Sequence, residues 1–189
     1  MNKNWQREYF SFPNLMGYLR IVLVPVYLWV YLTAQGSRDY YLAAGIMLVS
    51  FLTDLLDGQV ARRFNMITEF GKVLDPVADK LTQGSIAISF LFRYPDLWPM
   101  VLVLVGKEAF MFVAGLCTLR MGKTIGGARW YGKVCTAVLD AVLLAILLAP
   151  ELTSGWIGIL NAVAIVAMAL SLAGYLNLYV RLWTGKMDG

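Results

Sequence analysis

Six apolar runs, at roughly 15–34, 40–61, 72–92, 98–119, 130–149 and 155–182, follow one another along this chain with short polar breaks between them. A membrane crossing needs about 20 apolar residues. The pattern therefore predicts an all-α, polytopic membrane protein with six transmembrane helices. The breaks have turn chemistry: Gln35-Gly36-Ser37, Tyr94-Pro95-Asp96 and Ala149-Pro150-Glu151 end three runs, and Asn65, Gly122 and the Gly126-Gly127 pair mark the other turns. Of the 189 residues, 59% are hydrophobic and 15% charged, against about 25% charged in soluble chains. Little is left over for a second domain of ordinary size, so residues 1–189 are expected to form a single membrane domain. The first run is too long for the apolar core of a signal peptide, and Glu8 lies among the charges before it, so it reads as a retained span. Residues 2–12 mix aromatic and charged side chains and suit either a short N-terminal interfacial helix or a disordered tail.

The basic residues, sixteen in all, divide unevenly around these spans. Lys3, Arg7, Arg62, Arg63, Lys72, Arg120, Lys123, Arg129, Lys133, Arg181 and Lys186 flank one side; only Arg38 and Arg93 flank the other, near Asp39, Asp96 and Glu151. Basic flanks stay in the cytoplasm, which places both termini there, next to anionic headgroups. Membrane lipids, and no nucleic acid, are the partners this distribution implies. Histidine is absent. Imidazole is thus excluded as base, nucleophile or metal ligand, and with it Ser-His-Asp triads and zinc sites built on His. Cys117 and Cys135 lie in apolar stretches without C-x-x-C spacing and read as buried small hydrophobes.

Charges that stay inside the spans carry the functional signal, because an ionisable group in a bilayer must be paired, hydrated or bound to a cation. Asp54 and Asp57 lie just before the cytoplasmic end of the second span, and Asp75 and Asp79 just after the start of the third. Spacings of i,i+3 and i,i+4 put each pair on one helix face, and the short link between the spans lets the two faces meet at one depth. Four bare anions in low dielectric repel strongly, so something positive must join them. Without His or thiolate ligands, oxygen-only coordination points to a hard divalent cation, Mg²⁺, Mn²⁺ or Ca²⁺. Gly58 and Ala61, one turn apart, leave a bare strip where a ligand can press against the helix, and Gly71 does the same at the start of the third span; tight helix packing is the other reading of such residues. Arg62 beside the strip offers a planar fork for phosphate oxygens. Acids, strip and arginine together describe a metal–diphosphate site. Arg20, also within a span, is open to two readings, a pocket residue or the partner of an Asp; Lys80 either pairs with the acids or snorkels.

The same residues carry a resemblance. Asp54, Asp57, Gly58, Ala61 and Arg62, then eight residues to Gly71, three to Asp75 and three to Asp79, match the signature of the CDP-alcohol phosphatidyltransferases at all eight defining positions. With average residue usage such a match arises by chance on the order of 10⁻¹⁰ per starting position. Pro13-Asn14-Leu15 followed by Arg20 and Pro25 also resembles that family's first helix. The resemblance implies transfer of a phosphatidyl group from CDP-diacylglycerol to an alcohol, with release of CMP, by a homodimer of a prokaryotic cytoplasmic membrane. It implies that Asp54, Asp57 and Asp75 hold the metals, Mg²⁺ or Mn²⁺ and two in number, with Asp79 near the second ion and acting as the catalytic base. Gly58, Ala61 and Gly71 would line the cytidine and diphosphate pocket, and Arg62 would hold a phosphate.

The acceptor is read from later residues. Lys107-Glu108 resembles the basic–acidic pair of phosphatidylglycerophosphate synthases and eukaryote-type cardiolipin synthases, and the Trp130 to Thr136 run resembles the W-x-G-K-x-x-T of the former. Lys107, Lys133 and, from the loop, Arg120 are accordingly expected to bind the acceptor, with glycerol 3-phosphate as first choice and phosphatidylglycerol as the alternative. Two departures stand against this: Gly115 occupies the position of a second basic residue, and Asp140 stands where many relatives have Gln. Lys107 and Asp140 neutralising each other in the membrane is the competing reading. A cation-coupled transporter is the alternative from another class, since such proteins use intramembrane acids; the clustering of the acids near one face and the lack of an internal repeat argue against it.

Overall fold

The computed structural model describes residues 8–63, 66, 68–122 and 129–184; of Leu55 and of residues 57–62 it describes the backbone alone. The described residues form six α-helices and no strand: α1 (Phe12–Leu32), α2 (Ser37–Arg63), α3 (Gly71–Arg93), α4 (Trp98–Arg120), α5 (Trp130–Leu148) and α6 (Ser154–Trp183), with a 3₁₀ turn at Pro95–Leu97 before α4. Each coincides, within a few residues, with one of the six apolar runs. Most of the N-terminal segment expected to lie in the interface, residues 1–7, is outside the described residues.

The ends follow local chemistry. Pro residues sit in the first turns of α1 and α4, where the missing N–H has no intrahelical partner to lose. The second helix starts after Gly36 with Asp39 in its first turn, accepting a 2.9 Å bond from the Gln35 N–H, a charge of the sign the helix dipole favours. After α4, Gly122 takes φ +70° and donates to the Leu119 carbonyl at 3.0 Å; this left-handed step suits glycine and stops the helix.

Four stretches are long and apolar enough to cross a membrane: Phe12–Leu32, Pro95–Arg120, Trp130–Leu148 and Ser154–Trp183. The second and third helices, at 27 and 23 residues, have the length but carry the four acids and basic ends that lower their hydropathy.

The chain divides into two compact units. In the first, Met1–Arg93 with Leu147–Glu151, α1 packs against both α2 and α3. Tyr27, Met47, Ala78, Ile86 and Phe90 are fully buried there, and Tyr27 shares a 2.7 Å hydrogen bond with Ser89. At one end Arg93 lies 3.7 Å over the Tyr40 ring and donates to the Pro150 carbonyl, while Ser37 donates to Glu151 at 3.2 Å. The start of α2, the end of α3 and the α5–α6 link therefore share that end, as the sequence pattern expects of Arg93 and Glu151.

In the second unit, Tyr94–Ile146 with Leu152–Gly189, α4 packs against α6. Its core joins Ala114 to Tyr175, Leu178, Tyr179 and Leu182, with Phe110 and Tyr131 against them. Trp183 donates its indole N–H to Thr118 at 3.1 Å. Both cysteines are free; Cys135 is buried as expected, whereas Cys117 of α4 is exposed. Gly132 of the W-x-G-K run meets Tyr175: an added Cβ would overlap the tyrosine hydroxyl and come 3.1 Å from its ring. Gly132→Ala is therefore expected to destabilise the protein by about 1–3 kcal/mol, read by thermal melting in detergent, and Tyr175→Phe should recover most of that loss. An equal loss with and without the hydroxyl would show that the Tyr175 hydroxyl is not what requires the glycine.

Candidate active site

Three acids of the first unit, Asp54, Asp75 and Asp79, converge on Arg20, near the middle of α1. Its side chain is 2% exposed, and Nη1 lies 2.5 Å from Asp54 Oδ1 of α2. The same Nη1 is bonded to Asp79 Oδ1 of α3, and Nη2 stands 3.6 Å from Asp75 Oδ1. Two helices thus bring three carboxylates to one guanidinium supplied by a third. Sequence left Arg20 open between pocket and partner; in the structure it is a partner of the acids, and of more than one.

Arginine stays protonated in proteins, so this is a fixed positive charge. One guanidinium against three carboxylates still leaves two negative charges in the group. Arg20 leaves the carboxylates partly accessible: their side chains remain 40% (Asp54), 45% (Asp75) and 43% (Asp79) exposed. Asp75 Oδ1 is buried and accepts no hydrogen bond, the distance to Arg20 being too long for one. A buried carboxylate oxygen with no donor, in a group of residual negative charge, is one that a cation would satisfy; among the described residues the acids do not by themselves close a three-ligand metal site. Asp57 stands three residues beyond Asp54 on the same helix. Its side chain, like those of Gly58, Ala61 and Arg62, lies outside the described residues.

The acids are placed by how closely α1 approaches α3. Gly17 allows this: a Cβ there would lie 2.9 Å from Leu74 Cδ2 and 3.7 Å from Asp75 Oδ1. One turn earlier, buried Asn14 donates through Nδ2 to the Glu8 carbonyl at 2.7 Å and to Thr68 Oγ1 at 3.1 Å. Thr68 Oγ1 in turn accepts the Gly71 N–H at 2.9 Å, and Glu8 Oε1 accepts the Phe70 N–H at 2.9 Å. These bonds tie the start of α3 to the start of α1. Gly71 is part of the packing: a Cβ on it would lie 2.6 Å from Asn14 Oδ1 and 2.9 Å from Thr68 Oγ1. Of this network, sequence reasoning found Gly71 and noted Asn14 only within a motif. The signal available was a lone amide, Asn14, at the head of an apolar run.

The acceptor candidates belong to the second unit. Lys107 is buried in α4 and its Nζ lies 2.7 Å from Glu108 Oε1. Arg120 is exposed in the last turn of α4, and Lys133 is exposed in the first turn of α5.

Known proteins resemble this chain along most of its length. The sequence profile of the CDP-alcohol phosphatidyltransferase family matches residues 10–174. A CDP-diacylglycerol–glycerol-3-phosphate 3-phosphatidyltransferase of Pseudomonas fluorescens is 30% identical over 185 residues, covering 95% of this chain and 94% of its own. A probable phosphatidylglycerophosphate synthase of Mycobacterium tuberculosis is 34% identical over 166 residues, 86% of this chain and 75% of its own. A CMP-forming cardiolipin synthase of Streptomyces coelicolor is 33% identical over 156 residues, 81% of this chain and 71% of its own. With four helices fit to cross a bilayer and such relatives, the chain is an integral membrane protein, and it belongs to the CDP-alcohol phosphatidyltransferase family.

Proposed function

We propose that this protein makes phosphatidylglycerophosphate, by transferring the phosphatidyl group of CDP-diacylglycerol to glycerol 3-phosphate. The observation that carries the chemistry is the meeting of Asp54, Asp75 and Asp79 at one point of the first unit. The acceptor is supported by the relative of that activity, which aligns over nearly the whole of both chains; the cardiolipin synthase aligns over less of each. Phosphatidylglycerol as acceptor is the second reading, favoured by that relative's similar identity.

In this reading Asp54, Asp57, Asp75 and Asp79 hold divalent cations, Mg²⁺ or Mn²⁺. Cations held there would neutralise the diphosphate and stabilise the charge that develops on the attacking and leaving oxygens. The residues supply the rest. Gly58, Ala61 and Gly71 border the nucleotide, and Arg62 takes a phosphate in its planar fork. Asp79 accepts the proton of the acceptor hydroxyl as its oxygen bonds to the phosphatidyl phosphorus; the bond from that phosphorus to CMP breaks, and CMP leaves with the electron pair. A carboxylate is a weak base, but close positioning lowers what it has to do. Lys107, Arg120 and Lys133 bind the acceptor phosphate.

All six helices span the membrane in this proposal, with the acids, both termini and the basic loops on the cytoplasmic side. The family profile runs through both compact units, which supports one catalytic domain over residues 1–189, working as a homodimer.

The test is an acceptor panel. Pure protein is incubated with labelled CDP-diacylglycerol and, separately, glycerol 3-phosphate, phosphatidylglycerol, serine or inositol phosphate, and lipid products are resolved by chromatography. Product is expected with glycerol 3-phosphate. Product from phosphatidylglycerol alone would replace the first reading with the second.

A further inference from the structure

We infer that Arg20 is a positioning residue of the carboxylate cluster, a built-in cation that competes with divalent metal for the same oxygens. This rests on the reading of the acids as metal ligands. Three observations carry it. Arg20 is almost wholly buried, its charge is permanent, and it reaches acids of both α2 and α3. No lone salt bridge needs that reach. Second, the carboxylates stay partly accessible, so a cation can approach without displacing the helix that carries Arg20. Third, Asp75 Oδ1 is left without a donor while Asp54 and Asp79 are bonded, so the guanidinium satisfies the group only in part.

The consequence is a site that stays assembled when empty. Without a countercharge the acids would push α2 and α3 apart; with Arg20 they remain gathered on α1. The same charge opposes an arriving dication. Arg20 thereby lowers metal affinity while keeping the ligands in register, and a metal held less tightly can be exchanged.

The competition is measurable without turnover. Full-length protein in detergent micelles, stripped with chelator, is titrated with Mn²⁺ while free ion is read by electron paramagnetic resonance, and melting is followed with chelator and with saturating Mn²⁺. Arg20→Met is expected to bind Mn²⁺ about tenfold or more tightly than the parent. It should melt lower than the parent in chelator and recover most of the difference with Mn²⁺. A merely structural salt bridge would lower both melting curves alike and leave affinity unchanged. Arg20→Lys keeps one charge without the fork and should fall between the two; it carries the test if the methionine variant does not fold. Affinity in these variants equal to or weaker than in the parent overturns the role of Arg20 alone. A parent that binds no Mn²⁺ overturns it together with the metal reading of the acids.

Discussion

Purified Asp79→Asn is expected to be folded and to release CMP from CDP-diacylglycerol about 10³-fold more slowly than the parent. The substitution keeps shape and removes one negative charge. Folding should tolerate that loss, because the cluster holds more carboxylates than Arg20 neutralises and Asp54 still bonds the guanidinium. Chemistry should not, because Asn cannot take the hydroxyl proton and offers a weaker oxygen to a cation. Asp57→Asn is expected to lose activity to a similar degree by weakening metal retention. The checks are CMP release under saturating Mg²⁺ and a melting curve on the same preparation. Near-parental turnover by Asp79→Asn would remove the assignment of the base. Near-parental turnover by Asp57→Asn would remove the site.

The helices were legible because a bilayer imposes length and apolarity on every crossing, and because Pro and Gly mark their ends. The acids were legible for the complementary reason: charge inside a span is so costly that its presence requires a function or a partner. What sequence left open was the partner. Arg20 lies 34 residues before Asp54 and 59 before Asp79; helical periodicity relates neighbours on one helix and says nothing of which helices meet. The link between Asn14, Thr68 and Gly71 was hidden likewise, since it joins residues 54 apart in the chain through short polar side chains. Small residues were ambiguous by nature. At Gly17 the absent side chain admits Leu74 of α3, at Gly132 it admits Tyr175, and sequence spacing cannot distinguish such packing from a ligand-lining strip. The family signature named Gly71 as pocket residue; the structure gives it a second task, which can be separated by experiment.

Gly71→Ala tests that task. Asn14 is 1% exposed and held by Glu8 and Thr68, so it cannot yield freely to a Cβ 2.6 Å from its oxygen. Either the amide leaves its partners, or the start of α3 tilts away from α1. The first leaves a buried polar group unsatisfied, at about 1–3 kcal/mol. The second shifts Asp75, one turn along the same helix, and a displacement of about 1 Å at a reacting centre is worth about 10²-fold in rate. Gly71→Ala is therefore expected to lower stability by about 2 kcal/mol and CMP release by about 10- to 100-fold. The Asn14→Ala background distinguishes the two tasks of the glycine. Asn14→Ala removes the obstructing oxygen, so adding Gly71→Ala to it should cost little further stability, leaving only the contact with Thr68 to absorb. If Gly71 served solely to border a ligand, Gly71→Ala would leave the melting curve where it was, and the two substitutions would multiply in their effects on turnover. Melting and initial rates of the four proteins in one detergent decide between a coupled pair and an independent one.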